Sequence, residues 1–289
     1  MATGTVAPLP ASTRIGPEDQ FVTVNGLRLH YLDWGWTSAE ALVCLPGLGG
    51  HGHIWDSFAG AIRTVYRVYA LDQRGQGDSE WPAAPDYLTA HWVSDLKGLL
   101  DALGVDRAVL VGHSMGAHNA MAFAARYPDR VKQLVLVDMG PARNPPANRV
   151  PPPADFADLD EAVAYAQQTS PQTPLEQQVL RLTWATKVLP NGRLGFKADP
   201  RVSDAWQADN LWDELPRITA PTLILRAALS QTLPEEVGQK MAQTIPQARF
   251  EVVEGAGHSI HADRPAAFAA LVLQFLRGAG TGEVSASGR

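Results

Sequence analysis

Six short apolar runs, ALVCLPG, YRVYALD, RAVLVGH, KQLVLVD, PTLILRA and ARFEVVE, recur along the chain. Most are followed by a loop and a stretch with helical spacing. Runs this continuous in Val, Leu and Ile suit parallel strands buried on both faces, whereas a half-exposed strand alternates apolar with polar positions. Between them LTAHWVSDLKGLLDALG, SMGAHNAMAFAARYP, LPEEVGQKMAQTIP and RPAAFAALVLQFLRG carry helical periodicity with Gly or Pro stops. Ahead of the first run, FVTVNGLRLHYLDWG places Asn25-Gly26 between two alternating segments, the signature of an antiparallel hairpin at a sheet edge. The pattern predicts an α/β fold, a doubly wound and mostly parallel sheet.

From Gly140 to about Leu215 the rhythm breaks. A Pro-dense opening, GPARNPPANRVPPPADF, gives way to LDEAVAYAQQ and PLEQQVLRLTWATKVL, which are helical and bring no strand of their own. This interval reads as a helical cap inserted between two strands; a crossover that only covers the sheet is the plainer alternative. Residues 1–140 and 216–278 would form the core domain and 141–215 the cap. The Gly/Ser-rich tail, 279–289, is expected to be disordered.

Composition narrows the function classes. The 24 basic residues against 30 acidic ones, a net charge of −6 with no Lys/Arg run, leave no electrostatic footprint for nucleic acid. The single cysteine, Cys44, excludes an internal disulfide and reads as strand filler. The N-terminus has neither a basic n-region nor a continuous apolar h-region, and no run is long enough to span a bilayer. A cytoplasmic, membrane-free protein is expected; the oligomeric state is not legible. No metal-ligand spacing and no dinucleotide fingerprint is present, so no cofactor is expected.

Gly112-His113-Ser114-Met115-Gly116 stands between a strand pattern and a helix pattern, the context that gives G-x-S-x-G its meaning. The glycines remove Cβ atoms where strand and helix nearly collide, so Ser114 can occupy a strained turn with its Oγ above the sheet. The following helix points its N-terminus, and its free N–H groups, at the place where negative charge would develop.

On these residues the chain resembles the α/β-hydrolase family over nearly its whole length. LPGLGGHGHIW resembles the family's oxyanion loop, with Pro46 where a histidine is most common; LDQRGQGDS resembles the turn after the fourth strand; GAGHSIHADRP resembles the loop bearing the catalytic histidine. The resemblance implies a Ser-His-Asp triad, with Ser114 as nucleophile and His258 as general base. Seven other histidines compete. His113 and His118 flank the elbow, His51 and His53 lie in the oxyanion loop, His261 follows His258, and His30 and His91 sit in a hairpin and a helix pattern.

The acid departs from the common pattern. Where the family most often places it, after TLILRA, this chain has Ser230, which cannot carry charge. Glu235 and Glu236 follow Pro234 and look like first-turn helix residues, and Asp72 looks structural. Asp138, at the end of KQLVLVD, would emerge on the same sheet edge as Ser114, and some branches of the family place the acid there, after the sixth strand. The family's oxyanion hole uses two backbone N–H groups, here those of Met115 and, by resemblance, Leu48. His51, Trp55, Trp184 and Trp206 are candidates for lining a substrate pocket, with Trp81 and Trp212 as further aromatics. The cap arginines Arg143, Arg149, Arg181, Arg193 and Arg201 include possible carboxylate holders.

The expected partner is a small-molecule substrate. The leading reading is a serine hydrolase of a carboxylic ester, lactone or amide. A C–C bond hydrolase of dienone-type metabolites would use the same serine and histidine. A catalytically silent ligand binder on the same fold is the reading that the acid-free Ser230 position would permit.

Overall fold

Asn25 and Gly26 adopt φ angles of 51° and 78°, the two positive values that match a tight turn to the twist of flanking strands. They join β1 (Glu18–Val24) to β2 (Leu27–Asp33) as the expected hairpin, with Val24 opposite Leu27. The computed structural model describes residues 16–35, 39–142 and 152–278. The tail 279–289 and residues 143–151 of the expected cap, with Arg143 and Arg149, lie outside them.

The hairpin is followed by β3 (Glu40–Leu45), β4 (Tyr66–Leu71), β5 (Ala108–His113) and β6 (Val131–Val137). Then come the short β7 (Asp155–Phe156), β8 (Thr186–Val188) and β9 (Leu194–Phe196), and finally β10 (Thr222–Ala227) and β11 (Ala248–Val253). Eight strands form one sheet in the order β1-β2-β4-β3-β5-β6-β10-β11, parallel except where β2 pairs with β1 and β4.

The continuous apolar runs are explained by burial on both faces. Val43, Leu45, Leu110, Leu134, Leu136 and Ile224 face one side, and Leu42, Cys44, Val109, Val111, Val135 and Leu223 face the other. The second side packs α1 (Asp56–Ile62), and the first packs α2 (Thr89–Ala102) and α3 (Met115–Arg126). Burial also pushes the Cys44 thiol well above its ordinary range, as befits an inert strand residue.

The chain between β6 and β10 departs from the sheet. It carries α4 (Leu159–Thr169), α5 (Leu175–Ala185) and the single turn α6 (Val202–Ala205). Contrary to the expectation of an interval without strands, β7, β9 and β8 form a three-stranded antiparallel sheet. The strands are two or three residues long, too short for a period-2 pattern to show in sequence. Phe156, Ala162, Val163, Ala166 and Leu182 give this segment a small core of its own. After it, α7 (Glu235–Thr244), α8 (Ile260–Asp263) and α9 (Pro265–Gly278) complete the fold, α9 packing beside α1.

Candidate active site

Ser114 has φ 52° and ψ −122°, a left-handed backbone that a non-glycine residue adopts only when its surroundings enforce it. The enforcement is visible. Its N–H donates to the Val137 carbonyl at 2.9 Å, and its own carbonyl accepts from the His118 N–H at 3.0 Å. A Cβ on Gly112 would lie 2.5 Å from the Gly116 carbonyl oxygen, and one on Gly116 would strike the Leu45 backbone. Only glycines let strand and helix meet this closely, so the two glycines of the motif are requirements of the turn.

Asp138 follows β6, the strand hydrogen-bonded to β5, and therefore emerges beside the elbow. It too has a positive φ, 51°, and it is fully buried. Its N–H donates to the Leu225 carbonyl at 2.8 Å, and its Oδ1 accepts from the Ala227 N–H at 3.0 Å. Its Oδ2 lies 2.7 Å from His258 Nδ1. An ionised carboxylate only accepts, so Nδ1 carries the proton and Nε2 is left as the basic nitrogen.

His258 sits in the loop between β11 and α8, and three groups hold that loop. Asp263 accepts from the Gly257 N–H at 2.7 Å, and its other oxygen accepts from the Thr173 hydroxyl of the inserted segment at 2.5 Å. His113 Nε2 donates to the His258 carbonyl at 2.9 Å. His113 and His261 pack in a chain of rings with His258, centroids 4.6 and 4.7 Å apart along it. Burial, reinforced by the charge His258 would carry, drives the His113 pKa far down and that of His261 to about 3. Both rings are neutral at pH 7 and play structural parts.

The loop after β3 carries Leu48 to the wall of the same cavity. Gln73 Nε2 donates to the Pro46 carbonyl at 2.7 Å, and Asn119 of α3 donates to Gln73 at 2.8 Å. Gln76 accepts from the Gly49 N–H at 2.5 Å. The loop is thus tied to the helix whose first residue is Met115, and the N–H of a first helical residue has no intrahelical acceptor. Ser114, Leu48 and His258 open on a cavity of about 1300 Å³ whose other walls include Leu180, Arg181 and Phe196.

The four side chains expected to line a pocket lie elsewhere. Trp55 is fully buried and stacks on His261 at 4.6 Å. Trp206 is buried against Trp92 and His118. His51 is buried, donates from Nε2 to the Arg181 carbonyl at 3.0 Å, and is driven by burial to a pKa of about 4. Trp184 is 38% exposed and stacks on His53 at 3.8 Å, and it is His53 that reaches the cavity wall. Large apolar rings gain most where they are fully desolvated, and the layers beside the sheet offered that. Of the other tryptophans, Trp81 reaches the wall and donates to the Lys197 carbonyl at 3.0 Å, while Trp212 packs half-buried on the core beneath Lys240.

The remaining acids and histidines have other partners. Glu235 and Glu236 stand exposed in the first turn of α7, and Ser230 turns the chain through the Thr232 N–H. Burial works against ionising Asp72, yet the His30 ring at 2.7 Å and the Asp78 N–H at 2.8 Å outweigh it and hold its pKa down. His30, Asp72 and Asp78 converge, but these bonds and the Gly52 N–H at 2.5 Å already occupy the Asp72 oxygens, so the group closes the turn after β4. His118 is buried and donates to the Asp209 carbonyl at 2.9 Å, and His91 pairs with Asp86. Sequence reasoning missed Gln73, Asn119, Asp263 and Thr173. Their partners are 46 to 90 residues away in sequence for Asn119–Gln73 and Thr173–Asp263, so no local pattern marks them.

Comparison with known proteins agrees with this architecture. The family model for the alpha/beta hydrolase fold matches residues 40–265. A 2-hydroxy-6-oxononadienedioate/2-hydroxy-6-oxononatrienedioate hydrolase of Burkholderia vietnamiensis is 31% identical over 274 residues, covering 87% of this chain and 91% of its own. A 3-hydroxybutyrate-oligomer hydrolase of Cupriavidus necator is also 31% identical, covering 94% of this chain and all of its own (100%). Among solved structures, the enol-lactonase from Burkholderia xenovorans LB400 superposes with a TM-score of 0.73 at 26% identity, covering 89% of this chain and 100% of that one. A family model that spans most of the chain, on a sheet of the matching order with a serine elbow at its centre, identifies the chain as a member of the α/β-hydrolase fold family.

Proposed function

We propose that the protein is a serine hydrolase that cleaves a carboxylic ester, lactone or amide of a small molecule through an acyl-enzyme. The observation that carries this is the 2.7 Å contact between the buried Asp138 carboxylate and His258, beside a serine held at φ 52° on the wall of one cavity. In this reading His258 Nε2 takes the Ser114 proton as Oγ attacks the acyl carbon. Asp138 holds the ring in the needed tautomer and stabilises the imidazolium. The Leu48 and Met115 N–H groups receive the oxyanion, aided by the N-terminal end of the twelve-residue α3. The imidazolium protonates the leaving group, and a water activated by the same ring releases the acid. Relatives named as hydrolases support the reaction class.

The oxononadienedioate hydrolase relative favours keeping a second reading, C–C bond hydrolysis with the same serine and histidine. The Asp138 pairing weighs against a silent binder, since it supplies the charge absent at Ser230. A fluorophosphonate probe tests the serine. One equivalent of label is expected on the wild type and none on Ser114→Ala, with ester turnover lost in the variant. Hydrolysis persisting in purified, folded Ser114→Ala protein would overturn the acyl-enzyme.

A further inference from the structure

The inserted segment contributes three arginines to the described residues, and two are already engaged. Arg193 pairs with Asp155 at 2.6 Å, and Arg201 pairs with Asp199 at 2.7 Å. Arg181, on α5, lines the cavity. Its Nε is buried without an acceptor, and among the described residues no carboxylate stands within salt-bridge distance of its guanidinium. The acid whose charge it feels is Asp263, and both Asp263 oxygens are taken by the Gly257 N–H and the Thr173 hydroxyl. The other wall acids do not supply a partner either: Asp199 is held by Arg201 and by the Tyr87 hydroxyl at 2.6 Å, and Asp204 is exposed.

A half-buried guanidinium whose Nε is desolvated without an acceptor is costly to keep. Burial lowers the Arg181 pKa below its ordinary value, the sign of that cost. The location is informative as well. Arg181 shares its cavity wall with Ser114 and His258, and its charge bears on His113, which packs on His258, and on His261, which packs on His113.

We infer that Arg181 is the anchor for a carboxylate carried by the substrate, so that the bond cleaved at Ser114 belongs to an anionic, carboxylate-bearing acyl compound. One fixed positive charge matches one monoanion, and the planar guanidinium offers paired donors to a carboxylate. The inference rests on the proposed hydrolase reading for the bond, but the anion site itself stands on the geometry of Arg181.

The test compares two methyl esters with the same acyl length, monomethyl glutarate and the neutral methyl valerate, by pH-stat in the wild type, Arg181→Gln and Arg181→Lys. The wild type should favour the anionic ester in kcat/KM by about 10- to 100-fold, the worth of a hydrogen bond to a charged group. Arg181→Gln should bring that ratio towards one through KM, and Arg181→Lys, which keeps the charge, should retain part of it. Cleavage of both esters with no anionic preference, or an equal loss on both in Arg181→Gln and Arg181→Lys at unchanged thermal stability, would overturn the anchor and leave the hydrolase reading standing. If neither ester is cleaved, calorimetric titration with glutarate decides. Binding by the wild type that Arg181→Gln abolishes supports the anchor, and no binding overturns it, whatever becomes of the serine chemistry.

Discussion

The two sides of the cavity are held by different means. On the sheet side, Ser114 and Asp138 end adjacent parallel strands; their backbone N–H groups donate to the Val137 and Leu225 carbonyls, and the Asp138 carboxylate accepts from the Ala227 N–H. On the inserted side, short elements are fastened to the core by scattered side chains: Trp81 to Lys197, Tyr87 to Asp199, Thr173 to Asp263 and His51 to Arg181. Two charged side chains, the buried Asp138 and the half-buried Arg181, show the contrast most directly. Asp138 has a donor on each oxygen, whereas Arg181 faces the cavity with its Nε unmatched. In the proposed reading, the group that holds one geometry through the reaction is fully satisfied and the group that would take the ligand is not. The comparison teaches that the sheet edge is fixed by satisfied hydrogen bonds, which under the proposed function suits chemistry, while the segment between β6 and β10 leaves a donor open, which suits selection.

The largest expected effect lies on the sheet side. Asp138→Asn keeps the shape but removes the charge and admits the wrong His258 tautomer, so turnover should fall by about a thousandfold or more. Steady-state kinetics with circular dichroism to verify folding checks it. Activity within tenfold of the wild type would mean that another group orients His258 and would erase the sheet side's distinction.

Next come the tryptophans, which sharpen the boundary between the two sides. Trp206, buried against Trp92 and His118, should cost about 3–5 kcal/mol of stability on replacement by alanine. Trp184, 38% exposed on α5 and stacked on His53, should cost about 1 kcal/mol for its stacking contact and should act on KM through His53. Denaturant unfolding and Michaelis parameters for the pair separate packing from selection. A Trp184→Ala protein less stable than Trp206→Ala would invert the assignment.

Acid should weaken the junction between the sides by a smaller amount. His51 and His261 are driven by burial to pKa values of about 4 and 3, below the ordinary 6.5. Between these values the unfolded chain binds more protons than the folded one. Their contribution is therefore complete above about pH 6.5 and is lost as the pH falls towards 4, at no more than about 1.4 kcal/mol per pH unit for each ring. His261→Phe keeps the stack on Trp55 but cannot titrate, so its unfolding free energy should decline less steeply from pH 6.5 to 4.5. An unchanged slope would place the acid sensitivity elsewhere.

The smallest effects belong to the acids that sequence comparison would otherwise favour. Glu235→Gln and Glu236→Gln, on exposed helix positions, should leave kcat/KM within about twofold, in keeping with surface substitutions generally. A hundredfold loss in either would return the triad acid to the loop after β10.

Much of the sheet side was legible from residue order alone, because its signals are local. A continuous apolar run means a strand buried twice, Asn25-Gly26 means a turn with positive φ, and Gly112 and Gly116 around Ser114 mean a backbone approach no other residue permits. Even the placing of Asp138 beside Ser114 follows from one helix and one strand between them. What decides the cavity wall is not local. Trp55 and Trp206 are as aromatic as Trp81, and only the packing of the two layers determines which rings are desolvated in the core and which reaches the cavity. Likewise the five cap arginines are equivalent in sequence. Arg193 and Arg201 find carboxylates and Arg181 does not, a distinction that exists only once Asp263 has been claimed by the nearby Gly257 N–H and by Thr173, 90 residues away. Backbone conformation is dictated by neighbours in sequence, whereas charge pairing and desolvation depend on neighbours in space, and the tertiary fold alone assigns those.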